Sequence, residues 1–342
     1  MKTSNSLRVL LIDPTFHDRG ISIPYTPLSI GLIGSYLKHH VPEVDLKIMK
    51  LASDIVETIK NSKPDVLGVC TYVWNSNLGN KISRLAREVN PDLLLVFGGP
   101  DINTKPVDMG LFIKKYAQAD LLVADEGEVA FTNIIKTYLD VGRNRKKLRN
   151  RIEELGNCFY INEARGFTEG PELPRIQELN DVPSPYLMGF FDDLLANRNI
   201  QPTVQTNRGC PYSCTFCLEG NSYFSKVKYH SLDYVIEELD YIAERVDSSV
   251  GLLITDSNWG MYRQDVAIAE HLRKLQDTKN WPMFNENISL LGAITEIIQA
   301  IIKPILLNWI VFLPPIISSK KPNPKAPSPA VTFNTIPKII IS

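Results

Sequence analysis

Short apolar segments alternate with amphipathic segments from residue 7 to residue 140, and this alternation restricts the first half of the chain to few folds. Apolar runs of strand length lie at residues 7–13, 44–49, 65–70, 93–97 and 121–124. Helical periodicity characterises residues 26–39, 54–61, 78–89, 107–116 and 128–139. Five successive β-α units predict an α/β domain, in which helices cover both faces of a parallel sheet.

The predicted strands end in residues that suit a binding site. Ligands of such sheets bind outside the carboxyl ends of the strands, and glycine there lets a ligand approach the backbone closely. The strand ends are Asp13-Pro14-Thr15, Thr71-Tyr72-Val73-Trp74, Gly98-Gly99-Pro100 and Asp125-Glu126-Gly127-Glu128. Tight strand-to-helix turns that bind nothing would explain the same residues, so this pattern leaves both interpretations open.

Three of the five cysteines, Cys210, Cys214 and Cys217, are spaced C-x-x-x-C-x-x-C. Thiolates are preferred ligands of iron–sulfur clusters and of zinc. A structural zinc site usually takes four protein ligands, whereas the nearest further candidates, Cys158 and His230, lie well outside this segment. Three thiolates on a four-iron cluster would leave one iron open to a substrate. The spacing therefore favours a cluster over a zinc knuckle.

The cysteine segment resembles the signature of the radical S-adenosylmethionine (SAM) enzymes, in which an aromatic residue, here Phe216, precedes the last cysteine. The resemblance implies that the three cysteines hold a 4Fe-4S cluster. Its open iron would chelate SAM, and electron transfer would cleave SAM to methionine and a 5′-deoxyadenosyl radical. An electron donor such as flavodoxin or ferredoxin would be a partner, and the substrate would be an unidentified small molecule or peptide.

The same resemblance suggests SAM contacts by Phe216 and, just past the cysteines, by Glu219 and Gly220. Many members have a G-G-E-like motif after the second strand of the barrel, where this chain has Thr255-Asp256-Ser257-Asn258. Asp256, with Asn258, is the candidate at this strand end, since a carboxylate can pair with the SAM ammonium. Capping of a helix or turn is the alternative role for Asp256.

The chain has G-G-P after the fourth strand, G-E-x-x-F after the fifth and then the cysteine motif. Over residues 7–280 this arrangement resembles the cobalamin-dependent radical SAM class. The resemblance implies a Rossmann-like, flavodoxin-like first domain whose strand ends face a corrinoid ring. A module that binds nothing is the alternative. In activity the class implies most simply a methyltransferase, although it has non-methylating members. The implied cobalamin contacts are Thr15, Thr71, Tyr72, Val73, Gly98, Gly99, Pro100, Glu126, Gly127 and Glu128.

His17 is a candidate ligand of the cobalt. Some cobalamin proteins supply this ligand from a D-x-H-x-x-G motif after the first strand. Here His17 and Gly20 fit the motif, but Asp13 lies four residues before the histidine instead of two. The hydrogen bond that orients such a ligand is therefore not assured, and we expect His17 to be an ordinary loop residue.

The composition, with 44% hydrophobic and 22% charged residues and a net charge of −1, is typical of a globular protein. The absence of a basic excess argues against a nucleic-acid partner. The first residues lack the pattern of a signal peptide. Clustered cysteines favour a reducing compartment over a disulfide framework, so we expect a cytoplasmic protein in which Cys70 is a buried structural thiol.

Four segments are predicted: a cobalamin-binding-like domain (1–140), a linker with a small hairpin and a proline-rich connector (141–200), the N-terminal part of a radical SAM domain (201–283), and an atypical tail (284–342). Strands at 202–207 and 250–255 and helices at 232–245 and 264–275 make two β-α units, whereas a radical SAM barrel needs about six.

The tail has no acidic residue, arginine or glycine after Glu296. We expect a frameshift or truncation that leaves the barrel incomplete and the tail out of frame or disordered. A short natural barrel variant and a membrane contact through residues 288–317 are the less favoured alternatives, since Lys303 and Pro304 interrupt the apolar run. An inactive remnant that binds only cluster or cobalamin is the alternative to an enzyme.

Overall fold

The computed structural model describes residues 6–16, 20, 23–215 and 217–282, together with the backbone of residues 289–290. His17, Phe216 and the rest of the predicted tail therefore lie outside the described residues. The first half is a seven-stranded sheet in the order β2-β1-β3-β4-β5-β6-β7. Its strands are β1 (Arg8–Thr15), β2 (Asp45–Leu51), β3 (Val66–Cys70), β4 (Leu94–Gly98), β5 (Leu121–Val123), β6 (Cys158–Ile161) and β7 (Phe167–Glu169).

The first five strands are parallel and have the flavodoxin-like order 2-1-3-4-5. They confirm the α/β prediction, with boundaries that shift by one or two residues. Alternate residues of a strand face opposite sides of a sheet, so Leu11 packs into one apolar core and Ile12 into the other. The helices are α1 (Leu28–His40), α2 (Ala52–Ser62), α3 (Ser76–Val89), α4 (Met109–Tyr116) and α5 (Gly127–Asp140).

The hairpin predicted in the linker is present as β6 and β7. It adds to the sheet instead of standing apart, because β6 pairs antiparallel with β5, at Leu122 with Phe159. The segment before this hairpin contains the short helix α6 (Arg145–Arg149). There Arg145 and Arg149 pair with the buried carboxylate of Asp120, which fixes this helix to the sheet domain.

The second part begins a β/α barrel. Strand β8 (Thr203–Val204) pairs in parallel with β11 (Leu253–Ile254), which pairs in parallel with β12 (Ser289–Leu290). Strand β9 (Asn207–Arg208) forms a separate antiparallel pair with β10 (Lys228–Tyr229). The accompanying helices are α7 (Asp192–Leu195), α8 (Leu232–Ala243) and α9 (Arg263–Lys279).

The single strand predicted for residues 202–207 is thus divided between two sheets. The physical reason lies at Thr206 and Asn207, whose backbone N–H groups donate to the carboxylate of Asp256, at 2.8 and 3.3 Å, instead of to a neighbouring strand. The division turns the chain just before the cysteines.

The described residues belong to one compact unit. Within it, the Tyr186 hydroxyl joins the sheet domain to the barrel: it lies 2.7 Å from Thr26 Oγ1 and donates to Thr203 O at 2.7 Å. None of the helices in the described part of the chain has the length and apolar character that crossing a bilayer requires.

Candidate functional site

The turns after β3 and β4 meet at the carboxyl edge of the sheet. Thr71 donates to Gly98 O from its backbone N–H at 2.7 Å and from its hydroxyl at 3.0 Å. Gly99 has a φ of +102°, and a Cβ atom there would lie 2.7 Å from Thr71 O. Only glycine fits this position without a shift of backbone, so the structure brings these three predicted residues together.

An apolar surface lies along the same edge. Tyr72 stacks on Trp74 with ring centroids 4.5 Å apart. Val73, Trp74 and Phe16 are 76%, 55% and 54% exposed. Phe16 and Trp74 also line a cleft of about 160 Å³, with Pro14, Thr15, Ile23 and Asn75. Phe16, which directly follows β1, was not predicted, and Trp74 was placed at a strand end but not among the cobalamin contacts.

A buried polar cluster lies at the ends of the first three strands. Asp13 accepts a hydrogen bond from Asn75 Nδ2 at 2.9 Å, and Lys50 Nζ lies 3.8 Å from its carboxylate. Burial raises the pKa of Asp13 and lowers the pKa of Lys50. The Cys70 thiol is 3.7 Å from Ser29 Oγ, and burial raises its pKa to about 12. Cys70 is thus a buried thiol of the core, as predicted.

Pro100 lines a second cavity of about 440 Å³ beside α4. Its polar wall contains Lys115 and Asp101, which form an ion pair, and Tyr116, whose hydroxyl donates to Asp101. Pro100, which follows Gly98 and Gly99 at the end of β4, thus borders this cavity.

Glu126 and Glu128, at the start of α5, make ion pairs with two arginines. Arg175 Nε donates to Glu126 at 3.1 Å, and Arg208 Nη2 donates to Glu128 at 2.9 Å. Burial lowers the pKa of Arg208, but Glu128 and Glu126 outweigh it and the net shift is upward. Gly127 between the two glutamates packs against α1, since a Cβ there would lie 2.7 Å from Ile33 Cδ1. These carboxylates therefore face the second part of the chain, and Arg175 and Arg208 were missed by sequence reasoning.

The cysteine loop follows β9. Cys210, Cys214 and Cys217 are free thiols, half-buried in the first case and exposed in the other two. The loop backbone is held by Cys210 N, which donates to Phe224 O at 2.9 Å, and by Cys217 N, which donates to Cys214 O at 3.2 Å. A Cβ at Gly220 would lie 2.2 Å from Cys214 O, so the fold of the loop requires glycine there.

The two outlying candidate ligands lie in other surroundings. Cys158 is buried in the core and its thiol donates to Gly156 O at 2.8 Å. His230 stacks on Tyr234 and lies 3.3 Å from Asn180 Oδ1, and burial lowers its pKa to about 3. Across the described residues, no group of three or more His, Cys, Asp or Glu side chains could hold a single metal ion. A zinc site of preformed geometry is thus not seen there, whereas a cluster binds each thiolate to a separate iron.

Asp256 lies at the end of β11 and is fully buried. Its carboxylate accepts from the backbone and side chain of both Thr206 and Asn207, with Asn207 Nδ2 at 2.9 Å. Burial raises its pKa to about 7, and the hydrogen bonds oppose the shift. Beside it, Asn258 Nδ2 and Asn207 Oδ1 are buried without a partner among the described residues. Glu219 accepts from the Ser257 hydroxyl, which brings the cysteine loop and the end of β11 together.

Comparison with known proteins identifies the relationship. Residues 21–135 match the family model described as B12 binding domain. Over 265 residues the chain is 31% identical to the cobalamin-dependent radical SAM methyltransferase TokK of Streptomyces tokunonensis, a match that covers 73% of this chain and 36% of the relative. The chain is related to the cobalamin-dependent radical SAM enzymes.

The curated relatives are not all named methyltransferases. The anaerobic magnesium-protoporphyrin IX monomethyl ester cyclase of Rubrivivax gelatinosus is 26% identical over 262 residues, which cover 72% of this chain and 44% of the cyclase. The chain spans well under two thirds of the length of either curated relative, 36% and 44%.

Solved structures of cobalamin-dependent radical SAM enzymes share the fold. OxsB with aqua-cobalamin and S-adenosylmethionine bound matches with a TM-score of 0.60 at 18% identity, over 79% of this chain and 37% of OxsB. The methyltransferase TsrM from Kitasatospora setae matches with a TM-score of 0.56 at 16% identity, over 81% of this chain and 52% of TsrM. The predicted fold and the predicted B12-binding domain are confirmed, while the individual cluster, SAM and cobalamin contacts stay predictions.

Proposed function

We propose that this chain holds a 4Fe-4S cluster through Cys210, Cys214 and Cys217, binds SAM at that cluster and binds cobalamin at the carboxyl edge of its sheet, as part of a radical methyltransferase. The observation that carries the proposal is the set of three free thiols on a backbone-anchored loop, in a chain that also has a B12-binding domain. Thiolates are the ligands that such clusters require.

The strand ends fit a flat, largely apolar ring. Gly99 leaves the backbone accessible without a side chain, and the exposed Phe16, Val73 and Trp74 offer apolar contact on the same edge. We infer that these residues, together with Thr71 and Gly98, hold the corrin ring. Glu126 and Glu128 contribute through their position beside the cysteine loop, since their carboxylates are already paired.

The region next to Asp256 fits the amino-acid end of SAM. Asn258 Nδ2 is a buried donor and Asn207 Oδ1 a buried acceptor, both without a partner among the described residues. Buried polar groups are normally hydrogen-bonded, so a ligand with a carboxylate and an ammonium group would satisfy both. Asp256 would orient Asn207 through the hydrogen bond from its Nδ2, and Glu219 would contribute through Ser257.

When bound, the cluster supplies the electron that cleaves SAM and cobalamin supplies a transferable methyl group. Methylation is favoured over other radical chemistry because the relative with the higher identity is named a methyltransferase. A flavodoxin or ferredoxin would deliver the electrons, and the substrate would be a small molecule or peptide.

Anaerobic reconstitution tests the proposal. The chain should take up about four iron and four sulfide ions, show an electron paramagnetic resonance (EPR) spectrum that changes with SAM, and bind cobalamin. Cys210→Ser should lose iron and retain cobalamin. Production of 5′-deoxyadenosine would support an active enzyme, whereas a full cluster without it would support a binding remnant. Stoichiometric zinc after aerobic purification, with no iron uptake, would refute the cluster.

A further inference from the structure

Four charged side chains form a nearly buried cluster between the sheet domain and the cysteine loop. Their exposed fractions are 8% for Arg175, 10% for Glu126, 13% for Arg208 and 5% for Glu128. Arg208 Nη2 lies 2.9 Å from Glu128 and its Nη1 lies 3.6 Å from Glu126, while Arg175 Nε lies 3.1 Å from Glu126. Two carboxylates and two guanidinium groups thus neutralise one another where they are largely shielded from bulk water.

These four charged side chains connect the two places where cofactors are proposed to bind. After the carboxyl end of β5, Glu126 directly precedes α5 and Glu128 is the second residue of α5. Arg208 ends β9, two residues before Cys210. Its Nη2 contact with Glu128 spans 80 residues of sequence.

Arg175 donates hydrogen bonds to the backbone that follows the three cysteines. Its Nη1 donates to Tyr223 O at 3.1 Å and to Lys226 O at 2.8 Å, and its Nη2 donates to Arg208 O at 3.3 Å. Backbone on both sides of the three cysteines is therefore bonded to one arginine, which is itself paired with Glu126.

A cluster of this kind has a directional effect that apolar packing lacks. Buried ion pairs are weak evidence for net stability, because desolvation offsets their attraction. A guanidinium group, however, has a rigid fork of donors, so its hydrogen bonds fix orientation as well as distance.

We propose that the Arg208–Glu128 and Arg175–Glu126 pairs fix the cysteine loop against the carboxyl end of β5. Through the loop, these four residues position the 4Fe-4S cluster relative to cobalamin. The part of this inference that concerns the two cofactors rests on the proposed function. The part that concerns the loop rests on the contacts of the chain without cofactors. All four are positioning residues, since they act through the loop.

Hydrogen exchange of the chain without cofactors tests the loop. Glu128→Gln removes one charge of the pair, and Arg208→Lys retains the charge but removes the fork. Both should raise exchange in peptides that cover residues 208–228 about tenfold or more, as expected for loss of a charge-assisted hydrogen bond. The matched control is Arg87→Gln, which breaks a pair with Asp120 at the opposite end of β5 and should leave these peptides unchanged. Unchanged exchange in both test variants, or an equal rise in the control, would overturn the proposal.

Spin coupling between cob(II)alamin and the reduced cluster, measured by EPR in loaded protein, tests the relative position. Glu128→Gln and Arg208→Lys should retain iron and cobalamin but show an altered or broadened coupling, and Arg87→Gln should match the parent. A parental coupling in both test variants would refute the positioning role. If the parent chain takes up no iron, the proposed function fails, and so does the positioning of the 4Fe-4S cluster. The hydrogen-exchange result still decides whether the two ion pairs hold the loop.

Discussion

Glu238 should make the stability of this protein fall as the pH rises from about 4 to about 8. Glu238 lies on the buried face of α8, and its carboxyl accepts a hydrogen bond from Ser184 Oγ at 2.6 Å. The described residues give it no ion-pair partner. Burial raises its pKa from 4.5 to about 7, and the bond from Ser184 opposes this only in part.

The sign follows from which state holds the proton. Below pH 4.5 the carboxyl is protonated in both states. Between pH 4.5 and about 7 the unfolded chain releases the proton while the folded chain retains it, so the free energy of unfolding falls. Each pKa unit is worth about 1.36 kcal/mol, so this shift corresponds to about 3 kcal/mol, and the loss levels off above pH 7.

Urea unfolding of the parent and of Glu238→Gln across this pH range measures the effect. The variant's free energy of unfolding must be subtracted from the parent's because other buried groups also change stability with pH. Asp256, whose pKa is raised to about 7, lowers stability as the pH rises, and His230, whose pKa is lowered to about 3, raises it. The parent-minus-variant difference should fall by about 3 kcal/mol with rising pH. The matched control is Glu237→Gln at the exposed neighbour, whose difference should be flat. A difference for Glu238→Gln that changes by less than about 1 kcal/mol would refute the reasoning.

Three further perturbations test the sites. Gly220→Ala should abolish most iron uptake, because its Cβ would lie 2.2 Å from Cys214 O. The control Gly110→Ala, with its nearest contact at 3.4 Å, should keep the parental iron content. Parental iron content in both variants would contradict the loop geometry. Asp256→Asn should lower the free energy of unfolding by about 1–3 kcal/mol, since an amide cannot accept from donors on both sides; unchanged urea unfolding would show that these bonds contribute little. Trp74→Ala should weaken cobalamin binding up to about tenfold, through loss of an aromatic contact, as measured by absorbance titration. Leu187→Ala, at another exposed apolar side chain, is the control, and equal affinities would remove Trp74 from the site.

Local pattern was sufficient for the elements of the sheet domain. Periodicity of two or 3.6 residues depends on which side chains are apolar along a short stretch, so residues 65–70 and 78–89 could be assigned from sequence to elements close to Val66–Cys70 and Ser76–Val89. Short strands of the barrel were harder. The pattern of residues 202–207 predicts one strand. A carboxylate about 50 residues away accepts the hydrogen bond of the Thr206 backbone N–H, and this divides the strand.

The sequence by itself determined the α/β fold, the B12-binding domain and the spacing of the three cysteines, because each is written in contiguous residues. Only the tertiary structure decided what the buried charges do. Sequence reasoning placed Glu126 and Glu128 at a strand end as predicted ligand contacts, and the structure adds that they pair with Arg175 and Arg208, which are 49 and 80 residues away. The partner of a buried charge depends on which distant segments pack beside it, and no local pattern of residue types encodes that choice.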